Sequence, residues 1–215
     1  MIYLDSAIIA DAKKAVLLGW VKGITTNPKL INKSPLSPEE TLTQLAKISP
    51  GELYYQLFAQ DFEGMVTEAK KAAEIVGDKL VLKILPTEIG FRTVAHLSSE
   101  INCSITAIFS AAQAVVAKEV GAKYAIPYVN RVNKQLGDGL GIALVKQMSN
   151  LLQGSNTRIL AASIISPSQA AATLEAGAHH LTIDPTVLEQ MMTHDFSAKA
   201  AEDFYAHGAG IGVDK

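Results

Sequence analysis

The chain is poor in cysteine, in tryptophan and in any excess of one charge. Its one thiol, Cys103, excludes a disulfide framework and a thiolate zinc cluster, and packing in the core is its simplest role. Lys plus Arg number 19 against 21 Asp plus Glu, a net charge of −2 with no long basic run, so the electrostatic footprint of a nucleic-acid binder is missing. Apolar stretches are interrupted well before the roughly 20 residues that span a bilayer. Met1-Ile2-Tyr3-Leu4-Asp5 has no basic segment and no apolar segment behind it, so no secretion signal is expected and the cytoplasm is the expected compartment. What the chain has in quantity is apolar residues, 48% of 215, enough to bury a full core.

Short β-branched or apolar runs alternate with helical-period segments from end to end, which marks a parallel sheet with crossover helices. Strands are expected over 2–4, 23–25, 53–55, 80–84, 103–107, 124–127, 158–161 and 180–183, with helical patterns over 7–18, 61–75, 110–120, 141–152, 168–176 and 185–192. Eight such units without a linker predict one α/β domain over 1–215, a (β/α)8 barrel at the short end of that fold's size range. The competing open, doubly wound sheet commonly has a Gly-rich loop after its first strand, and Asp5-Ser6-Ala7-Ile8 contains no glycine. Two prolines over 34–38 read as a loop that opens a helix. A last helix over 197–205, within a tail of 196–215, is expected to contact a neighbouring subunit.

Active sites of such barrels sit at the carboxyl ends of the strands, so the residues that close each strand matter most. These are Asp5, Thr26 and Asn27, Gln56, Thr106, Tyr128 with Arg131, and Ser163, while strand four carries Lys83. Lys83 interrupts the apolar run Val81-Leu82-Lys83-Ile84-Leu85, and alternation sends it either into the barrel or toward the helices. Both places are largely dry. An amine kept from water gives up its proton more readily and becomes a nucleophile of the kind that imine chemistry needs, whereas a nearby Asp5 carboxylate would oppose that change.

Read with their neighbours, these residues resemble the small transaldolase and fructose-6-phosphate aldolase family of class I (β/α)8 aldolases. The segments that carry the resemblance are Tyr3-Leu4-Asp5, Gly23-Ile24-Thr25-Thr26-Asn27-Pro28, Gln56 with Glu63-Gly64-Met65, Val81-Leu82-Lys83, Thr106 with Ala111-Ala112-Gln113, Pro127-Tyr128-Val129-Asn130-Arg131 and Leu160-Ala161-Ala162-Ser163. The resemblance implies an imine between Lys83 and a ketose, Asp5 in proton transfer, and Asn27 beside the dihydroxyacetone portion. It implies a proton-shuttling water held by Gln56, Thr106 and Tyr128, and an acceptor phosphate bound by Arg131 and Ser163. It also implies a homo-oligomer, a pentamer or decamer, with sugar phosphate and dihydroxyacetone as its small-molecule partners and no cofactor. Gln56 and Tyr128 stand where the aldolase subgroup has Gln and Tyr and transaldolases usually have Glu and Phe, so aldolase activity is expected ahead of transaldolase. A barrel that keeps the lysine without turnover, as a scaffold, is the alternative from another class.

The chain departs from the family at Leu85, where Pro is usual, and at Ile164-Ile165, where a basic residue commonly follows the serine. Lys29 and Lys134 are expected to be solvated. Gly137-Asp138-Gly139-Leu140-Gly141 reads as a helix-capping turn with Asp138 as the cap. His179 and His180 are neighbours on a strand and face opposite ways, so no metal is expected there. Trp20 is expected to be an anchor.

Overall fold

Eight parallel strands close on one another in chain order, β1 pairing with both β2 and β8, in a computed structural model that describes residues 1–211. The strands are β1 (Ile2–Asp5), β2 (Val21–Thr25), β3 (Leu53–Gln56), β4 (Leu80–Ile84), β5 (Asn102–Ile108), β6 (Tyr124–Pro127), β7 (Arg158–Ile164) and β8 (His180–Ile183). Around them run α1 (Ile9–Leu17), α2 (Pro28–Ile31), α3 (Pro38–Ile48), α4 (Phe62–Val76), α5 (Glu88–Leu97), α6 (Ala111–Glu119), α7 (Val129–Leu136), α8 (Leu140–Leu151), α9 (Pro167–Glu175), α10 (Pro185–Gln190) and α11 (Asp195–His207). The molecule is a single-domain (β/α)8 barrel. The last four residues of the expected tail, 212–215, lie outside the described residues.

Strand alternation divides the core in two. Leu4, Ile24, Leu53, Leu82, Ile84, Ile105 and Ile159 face outward and pack under the helices. Tyr3, Tyr54, Val81, Tyr124, Ile126 and Leu160 face inward and fill the barrel. Because Val81 points inward, Lys83 two residues on does too, which decides between its two expected destinations.

The helices start where the chain provides side-chain acceptors for free N–H groups. Ser37 and Ser110 form reciprocal capping boxes with Glu40 and Gln113, while Asp61, Thr87, Ser166 and Asp184 cap α4, α5, α9 and α10. Asp138 does not cap α8. Gly139, in the left-handed conformation at φ 80°, holds that position, and Asn133 Oδ1 instead accepts from Gly141 N at 2.7 Å.

The amino end of the barrel is plugged by a polar cluster. The phenols of Tyr3, Tyr54 and Tyr124 donate to the Glu52 carboxylate at 2.8–3.0 Å, and Lys123 Nζ pairs with it at 2.8 Å. Gly23 makes room for this plug, since a Cβ there would lie 2.8 Å from the Tyr3 ring and 2.4 Å from the Glu52 carbonyl oxygen. His180 also belongs to this end, with Nδ1 3.0 Å from the amine of Met1, while His179 Nδ1 accepts from Ile159 N at 3.1 Å, so the two rings serve separate partners.

Candidate active site

At the carboxyl end of the barrel a cavity of about 230 Å³ opens above Lys83, lined also by Asp5, Asn27, Tyr128, Arg131 and Ser163. Lys83 is only 3% exposed, and its Nζ donates to the carbonyl oxygen of Thr26 at 2.7 Å. One backbone carbonyl thus holds the amine in place. Among the described residues Lys83 forms no salt bridge with Asp5.

Asp5 closes β1 and accepts from Thr25 Oγ1 at 2.9 Å, and Thr25 in turn meets Thr182 Oγ1 at 2.5 Å. Burial pushes the Asp5 carboxyl above its ordinary range, against the opposing charge of Lys83, the Thr25 hydrogen bond and Arg131, with Asp184 adding to the rise. A carboxyl shifted in that direction exchanges protons closer to neutrality.

Tyr128 follows β6, pairs through its backbone with Ala162 of β7, and stands at the N-terminal boundary of α7. Its hydroxyl accepts from Thr106 Oγ1 at 3.2 Å, and its ring lies under the Arg131 guanidinium, 4.6 Å from the centroid. Arg131 therefore sits not at a strand end but in the first turn of α7, leaning over the phenol at the rim. β5 and β7, the strands on either side of β6, each run to a left-handed residue near their ends, Ala107 at φ 59° and Ser163 at φ 62°. β5 runs one residue past its expected limits at each end and β7 three residues past its expected end, with these left-handed residues inside the strands.

The structure gathers Asp5, Asn27, Lys83, Tyr128, Arg131 and Ser163 around one cavity and leaves three other candidates off its wall. Thr106 is fully buried and reaches the site through Tyr128. Gln56 is the register partner of Lys83 but borders a separate groove of about 930 Å³ between β3 and the α2–α3 segment. Glu68 fixes the loop after Gln56 by accepting from Phe58 N, Ala59 N and the Tyr55 hydroxyl. The Thr26 hydroxyl donates to the Tyr54 carbonyl at 2.8 Å, so this residue meets the site through its own carbonyl. Asn27 Oδ1 caps α2 at 3.1 Å, which leaves its amide NH₂ free to donate. Lys29 and Lys134 are exposed. Two further cavity residues, Thr182 and Asp184, belong to the end of β8, and the strand-end rule that finds the others applies to them equally.

The site thus joins a buried primary amine on a barrel strand to a carboxyl, a phenol and a guanidinium at the carboxyl-end mouth, where (β/α)8 enzymes as a class carry their active sites. The chain belongs to the Transaldolase/Fructose-6-phosphate aldolase family, whose model matches residues 2–214. It is 36% identical over 219 residues to a probable transaldolase of Kosmotoga olearia, covering 98% of this chain and 99% of that protein. It is 33% identical over 205 residues to a probable transaldolase of Nitrosopumilus maritimus, covering 94% and 92%. Among solved structures, a mandelate oxidase variant superposes with a TM-score of 0.63 at 16% identity, over 86% of this chain and 65% of that one, and flavocytochrome b2 with 0.63 at 12%, over 99% and 72%. Those two share the fold alone.

Proposed function

We propose that the chain is a lysine-imine aldolase that cleaves fructose 6-phosphate to dihydroxyacetone and glyceraldehyde 3-phosphate and runs the reverse addition. The observation that carries this reading is the Lys83 amine, nearly closed to solvent yet forming the floor of a cavity shared with Asp5 and Tyr128. Lys83 Nζ attacks the ketose C2 carbonyl, and loss of water leaves an iminium. The C4 hydroxyl gives its proton to the Asp5 carboxylate, C4 becomes the aldehyde carbon, and the electrons of the C3–C4 bond move into the iminium as an enamine. A proton relayed by Tyr128, with Thr106 holding the phenol, then reaches C3, and water hydrolyses the imine to release dihydroxyacetone. Asn27 donates to the dihydroxyacetone portion, and Arg131 with Ser163 receives the other end of the substrate.

Transaldolase is the second reading, and the names of the relatives at 33% and 36% identity favour it. The phenol at Tyr128 favours the aldolase, since it supplies the proton that frees the three-carbon unit. The test is the time course of glyceraldehyde 3-phosphate release from fructose 6-phosphate with no acceptor added. Sustained turnover supports the aldolase. A burst of one equivalent per site that stops means that dihydroxyacetone stays on Lys83, and no release refutes both readings for this substrate. The family's place in sugar metabolism supports a cytoplasmic site of action. The exposed Phe196, Phe204 and Tyr205 of α11 support a homo-oligomer in which this helix contacts a neighbouring subunit.

A further inference from the structure

The mouth of the barrel carries a second carboxylate that the proposed reaction does not use. Asp184, just past β8, lines the lysine cavity, and with Asp5 and Ile165 it also lines an adjoining groove of about 480 Å³. It therefore stands where a substrate extending from Lys83 would leave the barrel. One of its oxygens accepts from Val187 N at 3.0 Å to cap α10, and among the described residues neither oxygen has an ion-pair partner. The Asp184 carboxylate thus stands at the cavity wall without a contact ion pair, and Lys83 and Arg131 share the cavity with it.

Besides Lys83, the basic residues lining that end are Arg131 on the cavity wall and Lys33 on the adjoining groove. The β5–α6 and β7–α9 loops are built alike: a left-handed residue at 107 and 163, a capping serine at 110 and 166, and a glutamine whose Oε1 accepts from Phe109 N at 2.9 Å or Ile165 N at 3.0 Å. This shared turn brings Phe109 within 6.3 Å of the Tyr128 ring and places Ile165 on the cavity wall. Arg131 is the guanidinium available there, and it faces a cavity that holds both Asp5 and Asp184. A phosphate dianion would gain Arg131 and meet the Asp184 carboxylate, Asp5 carrying the proton that the addition delivers to the C4 oxygen. An uncharged hydroxyaldehyde would keep hydrogen bonds to Ser163 and Asp184 without that repulsion.

From this juxtaposition we infer that Asp184 sets acceptor selectivity, lowering the preference for a phosphate-bearing aldehyde over an uncharged hydroxyaldehyde. The inference rests on the lysine-imine reading above. It is tested by adding dihydroxyacetone to glyceraldehyde and to glyceraldehyde 3-phosphate and taking the ratio of the two kcat/KM values. Asp184→Asn keeps an oxygen to cap α10 and removes the charge, so the phosphate-over-neutral ratio rises about tenfold, equivalent to about 1.4 kcal/mol. The gain lies in KM for the phosphorylated acceptor, and inhibition by inorganic phosphate tightens with it. In the unaltered protein the ratio stays below about ten; a ratio in the hundreds overturns the inference without any variant. An unchanged ratio and unchanged phosphate inhibition in folded Asp184→Asn overturn it as well. Borohydride trapping of dihydroxyacetone on Lys83 separates the two levels: trapping with no shift in the ratio refutes the role of Asp184 alone, while no trapping refutes the imine reading and the inference with it.

Discussion

Replacing Glu52 by Ala removes the acceptor on which three phenols and one ammonium converge at the closed end of the barrel. Tyr3, Tyr54 and Tyr124 lose their charged partner together, and Tyr54 is fully buried. A hydrogen bond to a charged group contributes about 1.5–3 kcal/mol, but three that share one carboxylate do not add, and the Glu52 side chain is 19% exposed, so water replaces part of the loss. The expected cost is about 3–5 kcal/mol, or a fall in Tm of about 6–20 °C for a chain of this length. Glu52→Gln keeps the shape and one acceptor oxygen and should cost about 1–2 kcal/mol. The pH dependence supplies an independent check. Burial raises the Glu52 carboxyl, but Lys123 and the three tyrosines outweigh it, so the folded-state pKa lies below the model-compound value of 4.5. A carboxyl depressed on folding contributes stability that is fully present above its unfolded pKa and disappears as pH falls through the folded value. The gap between the unaltered protein and Glu52→Gln should therefore be constant near neutrality and close below about pH 4.5. Thermal unfolding followed by circular dichroism across that range is the assay. A change below about 1 kcal/mol in Glu52→Ala at neutral pH, or a gap that widens in acid, would refute the role assigned to this cluster.

Other outcomes follow from the same geometry. Lys83→Met removes the amine and should abolish borohydride trapping of dihydroxyacetone while leaving the circular dichroism spectrum of the barrel in place; persistent trapping would move the imine to another lysine. Tyr128→Phe removes the phenol that accepts from Thr106 and should lower sustained turnover by about 10²-fold or more, with trapping intact, as measured by comparing steady-state release with the first-turnover burst. His180 is held down to about 4 by burial, the Met1 amine, His179 and Arg158, with Glu52 opposing. Its unfolded form binds a proton first, so stability falls as pH drops from about 6.5 toward 4, and partial solvent access limits the loss to about 1–2 kcal/mol. His180→Gln should flatten that part of the Tm-versus-pH curve.

The barrel was legible because its causes are local. Strand and helix periods alternate eight times, polar residues close six of the strands, and Lys83 interrupts the apolar run of β4. Helices were harder to delimit where they are short: Glu88–Leu97 and Val129–Leu136 carry a helical apolar period that the sequence reading passes over, and α7 changes Arg131 from a strand-end residue into one that reaches over Tyr128 from a helical turn. Asp184 and Thr182 could have been found by the same strand-end rule, whereas the diversion of the Thr26 hydroxyl to the Tyr54 carbonyl could not. Side-chain hydrogen bonds between residues far apart in the chain leave no periodic trace.

Sequence alone determined the (β/α)8 architecture and the family and singled out Lys83 as an amine within an apolar strand, since these depend on residue type and spacing along the chain. Tertiary structure decided which way Lys83 points, which candidates share its cavity and which stand behind them. It also revealed the carboxylate at Asp184 across the mouth and the Glu52 cluster at the opposite end. The physical reason is closure. Joining β1 to β8 brings residues nearly 180 positions apart to the same few ångströms, and the charges and hydrogen bonds that tune a site act over that distance rather than along the chain.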